Sequence, residues 1–260
     1  MAYETILVER DGAACVITLN RPKRRNAFSI QLMTELGAAC READADEAVR
    51  AVIITGGTEY FSAGADLTEA MQVKSARDGV KYMKNWQVIN DTMETLGKPV
   101  IAAIEGYCTT GGWEFVMACD IRIAGEGATF NLTSSRIGTV PGAGGTQRLP
   151  REVGVHRALE ILFAAEPIDA AEAFRIGAIN RVVPKGQALA KARELVKIYE
   201  KRAPLSLAFA KRAVRAGVNM DLNSAIEFER FLVTAIYSSE DKNEGIGAFL
   251  EKREAKFKGR

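Results

Sequence analysis

The chain has 260 residues, of which 47% are hydrophobic, and 35 basic against 33 acidic residues give a formal charge of +2. That apolar fraction excludes a disordered or fibrous chain, and the near-neutral charge argues against a dedicated nucleic-acid or membrane-surface binder. No apolar run approaches the ~18 residues that span a bilayer, and no signal-peptide pattern is present, so we expect a soluble, cytoplasmic protein with neither a nucleic-acid nor a membrane partner.

The first predicted element is a β-hairpin. Two apolar-rich segments, 5–9 and 15–19, flank Asp11-Gly12, and Asp-Gly between such segments is the strongest short-range hairpin signal. From Leu32 the apolar residues follow helical spacing, which predicts a helix.

Three continuous apolar segments follow, at 51–55, 100–104 and 121–124. A short run that is apolar at every position is typical of a strand covered on both faces of its sheet. Strand-like segments that alternate with helix-like ones predict an α/β protein built of stacked units.

After residue 184 the pattern changes to helices. The segments with helical periodicity are 187–202, 205–216, 223–237 and 243–255, and no further strand is predicted. We therefore divide the chain into an α/β core, residues 1–184, and a helical carboxy-terminal module, residues 185–260.

The rarest reactive residues restrict the kind of site. His156 is the only histidine, so a two-histidine metal site is impossible, and we expect it in the first turn of a helix. The cysteines have no C-x-x-C spacing and are predicted to be reduced and buried: Cys15, Cys40, Cys108 and Cys119. Segment 142–147 lacks the last glycine of a dinucleotide loop. We expect no metal and no nucleotide cofactor.

Two glycine-rich turns follow apolar strands, at 61–67 and 106–114. In the second turn the pattern becomes helical directly after the glycines, which places Gly111 near a helix N-terminus whose N–H groups lack intrahelical partners. Such an end attracts negative charge, and glycine lets a ligand oxygen approach the backbone closely. The alternative is a cap that only satisfies local geometry.

Glu114 is the candidate acid–base residue. Its neighbours from 112 to 119 are otherwise apolar or glycine, so we expect a partly buried carboxyl group whose raised pKa suits proton transfer. A second interpretation stays open: with Gly111 as N-cap, Glu114 would be a capping glutamate at position N3.

Six segments together make the chain resemble the crotonase (enoyl-CoA hydratase/isomerase) family over nearly its full length. They are LNRP at 19–22 with NA at 26–27, FSAGADL at 61–67, KPVIAA at 98–103, GYCTTGGWE at 106–114, GTVPGAGGTQRLP at 138–150, and EG at 244–245 with FLEKR at 249–253. The resemblance implies an α/β fold, a crotonase-type spiral of repeated ββα units, followed by a C-terminal helical trimerisation region. It also implies a homo-oligomer, either a trimer or a dimer of trimers.

The resemblance further implies a site for an acyl-CoA thioester. The carbonyl oxygen would lie between the backbone N–H groups of Ala65 and Gly111, which would form an oxyanion hole. The implied substrate-binding residues are Ala63, Gly64, Ala65, Asp66, Leu67, Gly111 and Trp113, with Lys23, Arg24 and Arg25 or the basic tail for the phosphates. Coenzyme A would enter as part of the substrate, so no separate cofactor is expected.

The chain departs from the family pattern at one catalytic position. Hydratases of the family use a second glutamate further along the chain, and the matching residue here is Ser134, with no Asp or Glu from 127 to 151. A hydroxyl group cannot replace a carboxylic acid directly, although it can orient water.

We therefore expect an acyl-CoA lyase that hydrates an α,β-unsaturated thioester. Ala65 and Gly111 would be its oxyanion donors, and Glu114 would act as acid and base, alone or through a water held by Ser134. The alternatives are an enoyl-CoA double-bond isomerase, an acyl-CoA hydrolase on the same scaffold, or a catalytically weak CoA-ester binder.

Overall fold

In the computed structural model, which describes residues 3–260, two β-sheets carry the first two thirds of the chain. The six-stranded sheet has the order β1 (Ile6–Asp11), β2 (Ala14–Leu19), β3 (Ala51–Thr55), β5 (Val100–Ile104), β7 (Ile121–Gly125) and β10 (Arg181–Val183). The four-stranded sheet has the order β4 (Tyr60–Ser62), β6 (Tyr107–Thr109), β8 (Thr129–Asn131) and β9 (Ile168–Asp169).

Helices connect and cover these strands. The α-helices of the described residues are α1 (Ile30–Ala45), α2 (Leu67–Ala70), α3 (Ala76–Thr95), α4 (Gly111–Ala118), α5 (Gly145–Val153), α6 (Val155–Ala164), α7 (Ala170–Arg175), α8 (Ala188–Tyr199), α9 (Pro204–Gly217), α10 (Leu222–Tyr237) and α11 (Glu240–Leu250). Two short 3-10 helices lie at Pro22–Arg24 and Ser134–Ile137. Among residues 3–260, no helix is both long enough and apolar enough to cross a membrane.

Each successive pair of strands adds one strand to the large sheet and one to the small sheet. β3 and β4, then β5 and β6, then β7 and β8 follow one another, and each pair lies parallel to the previous one. Helices follow the first two pairs before the chain returns to the large sheet. This repetition has the form of the ββα spiral that the sequence predicts.

Strands β3 and β5 are apolar at every position because both of their faces are covered, as the sequence predicts. The predicted segments 51–55 and 100–104 coincide with β3 and β5, and every residue in both strands is buried. Val52 lies in the core cluster on one face of the large sheet, whereas Ile53 packs on the other face with apolar residues of α8. A strand covered on both faces has no solvent-facing position, which is why the apolar run is unbroken.

The hairpin and the helical carboxy-terminal segment are also confirmed. Asp11 pairs with Ala14, and Gly12 has a φ of 56°, the positive value that a type II′ turn requires at its first central position. The last helix begins at Glu240 rather than at the predicted 243, because Ser239 caps it by accepting a hydrogen bond from an amide of the first turn.

The rare residues lie where the sequence predicts them. His156 is exposed in the first turn of α6. The four cysteines are buried and free, in line with their interpretation as reduced, buried apolar residues. None of these five side chains lies in the candidate site described below.

Two arginines hold the carboxyl end of α4. The guanidinium of Arg122 donates to the carbonyl oxygens of Val116 and Met117 at 2.8 and 3.0 Å. It also forms a bidentate ion pair with Glu152, in which Nη1 and Nη2 donate to the two carboxylate oxygens at 2.6 and 2.7 Å. The last carbonyls of a helix lack intrahelical partners and carry partial negative charge, so these contacts stabilise the helix end.

The second arginine comes from α9. Arg215 donates to the carbonyl oxygens of Ala118 and Cys119 at 2.8 and 2.9 Å. Gly111 and Glu114 lie toward the amino end of α4, opposite the end that Arg215 contacts. The two arginines therefore fix the helix on which the predicted site depends.

We expect Arg122→Ala to lower the free energy of unfolding by about 3 kcal/mol, because it leaves the Glu152 carboxylate and several carbonyl oxygens without their donor. The measurement is urea unfolding at one fixed protein concentration. Arg157→Ala, which removes an exposed ion pair with Glu160, is the control and should change stability by less than about 1 kcal/mol. Equal losses for the two variants would contradict the role of Arg122.

Candidate active site

The site forms where the amino end of α4 meets the loop that follows β4. Because β4 and β6 are parallel neighbours, the segments that follow them emerge at the same edge of the small sheet. A Cβ built on Gly64 would lie 3.4 Å from the Gly111 nitrogen, and one on Gly111 would lie 3.2 Å from the Ala65 nitrogen. The structure thus brings together the two backbone amides that the sequence predicts as oxyanion donors.

Both amides lack a hydrogen-bond acceptor among the described residues. On either side of Ala65, the Phe28 N–H donates to the Gly64 carbonyl at 2.7 Å and the Asp66 N–H donates to the Phe28 carbonyl at 2.9 Å. The Ala65 N–H is left out of this bridge. Gly111 is the first residue of α4, so its N–H has no intrahelical acceptor. Two neighbouring N–H groups without an internal acceptor can stabilise an oxyanion.

Gly111 has to be glycine. A Cβ at this position would lie 2.5 Å from Cη2 of Trp86, closer than real side-chain carbons approach. Trp86 lies on α3 and stacks on Phe28 with 5.3 Å between ring centroids. The sequence analysis predicts no helix where α3 lies, so Trp86 is not among the predicted site residues. The signal for it is the helical spacing of its buried residues, Trp86, Ile89, Asn90 and Met93.

Glu114 is a buried carboxyl group with one bonded oxygen. The side chain is 2% exposed, and Oε1 accepts hydrogen bonds from the Ala143 and Gly145 amides at 2.7 and 2.9 Å. Burial raises the pKa of Glu114, and the two amide bonds oppose that rise only in part. Both bonds go to the same oxygen, so Oε2 accepts no hydrogen bond from the residues that the structure describes.

The capping interpretation of Glu114 is wrong. The N-cap is Thr110, which makes Gly111 the first helical residue and puts Glu114 at N4 rather than N3. The Thr110 N–H donates to the Asn131 carbonyl at 2.8 Å, so it is not the partner of the carboxylate. The Glu114 side chain instead reaches the loop before α5.

The glycine-rich loop 142–145, rejected as a dinucleotide site, holds the Glu114 carboxylate. A Cβ on Gly145 would lie 3.0 Å from Oε1 of Glu114, so only glycine allows this approach. The Ala143 carbonyl accepts hydrogen bonds from Asn90 Nδ2 at 2.7 Å and from Arg148 at 3.1 Å. The loop is therefore fixed by both α3 and α5, an arrangement of long-range contacts that local sequence patterns do not indicate.

Ser134 lies buried at the start of its 3-10 helix, with 2% of its surface exposed. Its carbonyl accepts a hydrogen bond from the Thr139 amide at 3.0 Å. The preceding residue, Thr133, is hydrogen-bonded to Thr110, directly before Gly111. The position where the family has its second glutamate is therefore tied to the amino end of α4.

Asp66 shapes the predicted CoA loop. Its Oδ2 accepts a hydrogen bond from Arg21 at 2.8 Å, and Oδ1 accepts one from the Thr68 amide at 3.0 Å, which caps α2. Burial alone would raise the pKa of Asp66, but the Arg21 guanidinium and the Thr68 bonds bring it below its ordinary value. Both carboxylate oxygens are thus engaged within the protein.

The predicted phosphate-binding residues lie beside this loop. Lys23, Arg24 and Arg25 are exposed around the 3-10 helix that follows β2. The Arg25 carbonyl accepts a hydrogen bond from the Ala63 amide at 2.9 Å, and Ala63 and Leu67 are exposed at the two ends of the loop. The structure therefore places three exposed basic side chains beside the loop along which CoA is predicted to bind.

Trp113, one of the predicted substrate-binding residues, packs in the core. The side chain is fully buried and packs on Phe130 with 5.5 Å between ring centroids. On a helix, Trp113 points away from the face of Gly111 that meets Trp86. The aromatic side chain next to the paired amides is thus Trp86, whereas Trp113 is part of the core.

Comparison with known proteins gives consistent matches. The sequence model of the enoyl-CoA hydratase/isomerase family matches residues 9–260. A probable enoyl-CoA hydratase of Rhizobium meliloti is 40% identical, with 100% of both chains covered, and the crotonyl-CoA hydratase of Syntrophomonas wolfei is 38% identical, with 99% of both covered. The crystal structure of an enoyl-CoA hydratase from Bacillus anthracis matches with a TM-score of 0.93 at 35% identity, over 99% of this chain and 100% of that one.

The ββα spiral with its carboxy-terminal helices is the crotonase fold, as the structural match establishes. The chain belongs to the enoyl-CoA hydratase/isomerase family, and is therefore an enzyme of the crotonase class. The predicted family and fold class are both confirmed.

We expect Glu114→Gln to be more stable than the wild type near neutral pH. The folded state raises the pKa of Glu114 above its ordinary 4.5, so wild-type stability falls as pH rises through the raised pKa. Glutamine keeps the Oε1 acceptor for both amides and never ionises. Thermal unfolding midpoints should therefore coincide at pH values below the ordinary pKa and diverge above it. The exposed Glu9→Gln is the control, and a constant difference between Glu114→Gln and wild type across pH would refute the expectation.

Proposed function

We propose that the protein is an acyl-CoA lyase that reversibly hydrates an α,β-unsaturated CoA thioester. The observation that carries the proposal is the juxtaposition of two unpaired amides, on Ala65 and Gly111, with the buried carboxyl group of Glu114 on the same helix. The relatives named enoyl-CoA hydratase and crotonyl-CoA hydratase, aligned over essentially their full lengths, support this reaction.

In this proposal the thioester oxygen accepts hydrogen bonds from both amides. As water adds to the double bond, the carbonyl oxygen gains enolate character, and donors fixed beforehand stabilise it by ~3 kcal/mol each. The amino end of α4 adds its partial positive charge at Gly111. No separate cofactor takes part, because coenzyme A is itself the activating group of the substrate.

Glu114 handles both protons of the reaction. Oε2 takes a proton from water as the water oxygen bonds to Cβ, and the same carboxyl group returns a proton to Cα. The raised pKa makes that return easier near neutral pH. Ser134, with a hydroxyl group that both donates and accepts, orients the water rather than supplying a proton.

A double-bond isomerase is the second candidate. One carboxyl group with one unbonded oxygen is enough to remove a proton from one carbon and return it to another, and the chain lacks the second acid of hydratases. An acyl-CoA hydrolase and a catalytically weak CoA-ester binder are further outcomes that the assays below distinguish.

We also infer a cytoplasmic homo-oligomer, a trimer or a dimer of trimers, with residues 185–260 as the assembly module. Support comes from the family and from large apolar side chains that the single chain leaves exposed on or beside α10 and α11. They are Leu222, Phe231, Tyr237, Phe249 and Leu250, each at least 64% exposed. Large apolar side chains exposed in this number on two helices favour an interaction surface. Phe231→Asp is expected to lower the mass measured by light scattering.

The test of the reaction uses crotonyl-CoA and longer enoyl-CoA thioesters, followed by loss of the enoyl absorbance. Glu114→Gln is expected to reduce kcat by roughly 10²- to 10⁴-fold, because it removes the general acid and base while keeping the amide contacts. The wild-type rate should fall as pH decreases through the raised pKa of Glu114, since the base must be ionised. Absence of turnover with every chain length would refute the hydratase. Gain of enoyl absorbance from a 3-enoyl-CoA would support the isomerase, and release of free CoA thiol would support the hydrolase.

Replacement of Ser134 separates the accessory role from a direct one. Ser134→Ala is expected to reduce kcat by roughly tenfold or less, because ordered water is lost but the carboxyl group stays. Ser134→Glu should restore a second acid and raise kcat above that of Ser134→Ala, measured with crotonyl-CoA. Ser135→Ala, one residue further along and exposed, is the matched control. Loss of activity in Ser134→Ala as complete as in Glu114→Gln would contradict the assignment of Glu114 as the sole acid–base group.

A further inference from the structure

The residue directly before Gly111 has an unusual backbone conformation. Thr110 has φ 41° and ψ −105°, close to the region that a type II′ turn reserves for glycine. Among the non-glycine residues with positive φ in the described chain, it is the only β-branched one. β-Branched residues adopt positive φ only when the surrounding structure imposes it.

Hydrogen bonds with Asn131, the last residue of β8, and with Thr133 hold this conformation. The Thr110 N–H donates to the Asn131 carbonyl at 2.8 Å, and Thr110 Oγ1 accepts a hydrogen bond from the Thr133 amide at 3.0 Å. The two threonine hydroxyl oxygens lie 2.8 Å apart and share a hydrogen bond. We call the side chains of Thr110 and Thr133, with these bonds, the threonine clamp.

The clamp acts on the peptide that contains the Gly111 N–H. This peptide is planar, so its N–H direction is fixed by the direction of the Thr110 carbonyl. That carbonyl accepts the first hydrogen bond of α4, from the Glu114 amide at 2.8 Å. If Thr110 relaxed toward an ordinary conformation, the peptide plane would turn and the Gly111 N–H would no longer converge with that of Ala65.

We propose that the threonine clamp positions the oxyanion hole: Thr110 and Thr133 hold the Gly111 N–H in the direction of the thioester oxygen. This inference rests on the proposed function, in which that N–H binds the substrate carbonyl. Neither threonine is placed against the reacting atoms, so both are positioning residues. The same clamp connects the oxyanion hole to Ser134, the residue after Thr133.

Misplacement of the Gly111 N–H and a loss of fold stability should change the kinetics in different ways. An oxyanion contact strengthens as charge develops, so its misplacement lowers kcat more than it raises KM. Loss of fold stability alone would instead lower the amount of active enzyme without changing the environment of a bound thioester. A spectroscopic readout of the thioester therefore separates positioning from stability.

The experiment uses the full chain and two readouts. The first is kcat and KM with crotonyl-CoA; the second is the red shift in absorbance of cinnamoyl-CoA on binding, which reports how strongly the hydrogen bonds polarise its conjugated carbonyl. Thr110→Ala and Thr133→Ala are expected to lower kcat by about tenfold with KM changed little, and to reduce the red shift. Thr110→Ser keeps the hydroxyl group and should retain both. Thr34→Ala, which removes an exposed hydroxyl-to-backbone bond on α1, is the control.

The outcomes distinguish the clamp from the site it serves. An unchanged red shift and kcat in both alanine variants would overturn the clamp while leaving the oxyanion hole intact. A wild-type protein that gives cinnamoyl-CoA no red shift would overturn the oxyanion hole, and the clamp with it. If the alanine variants do not fold, Thr110→Gly accepts the same φ without strain and lacks the hydroxyl group. It should fold and lose part of the red shift, and full retention would refute the proposal.

Discussion

The chemistry of this protein depends on two backbone segments that approach more closely than side chains would allow. The loop after β4 and the first residue of α4 meet at Gly64 and Gly111, and a side-chain carbon on Gly111 would collide with the edge of Trp86. Parallel pairing of β4 with β6 brings the two segments to one edge of the small sheet. Because glycine carries no side chain at either point, the Ala65 and Gly111 amides can lie close to each other.

Helix α4 also holds an ionisable group, the carboxyl group of Glu114, inside an apolar core. Every residue of α4 is buried, and a carboxylate in such a place is unfavourable unless it is hydrogen-bonded. The two amides of the 143–145 segment satisfy one oxygen of Glu114 without neutralising its charge. Burial raises the pKa of Glu114, and the two amides and the charge of Arg148 offset that rise only in part.

The sequence predicts what local patterns determine and misses what long-range contacts impose. The sequence predicts the bounds of strand β3, because both faces are covered and all its positions are buried. It also predicts the burial of the Glu114 carboxyl group, because Glu114 is the single acid in an apolar helix. The sequence analysis predicts no helix at α3, because polar residues such as Asn90 interrupt the apolar spacing of its buried face. The sequence does not predict a positive φ at Thr110, because the preference of threonine opposes that conformation. Hydrogen bonds with Asn131, Thr133 and Glu114 hold it there. Trp113 lies within a family motif and yet packs in the core against Phe130.

The contact between Arg215 and the end of α4 has a consequence for the order of folding. The carbonyl oxygens of Ala118 and Cys119 find this donor 97 and 96 residues further along the chain. On the ribosome, α4 is therefore synthesised long before Arg215 can donate to its last carbonyl oxygens, and contacts between such distant residues form late. The carboxyl end of α4 should acquire these two hydrogen bonds only once α9 has emerged and docked.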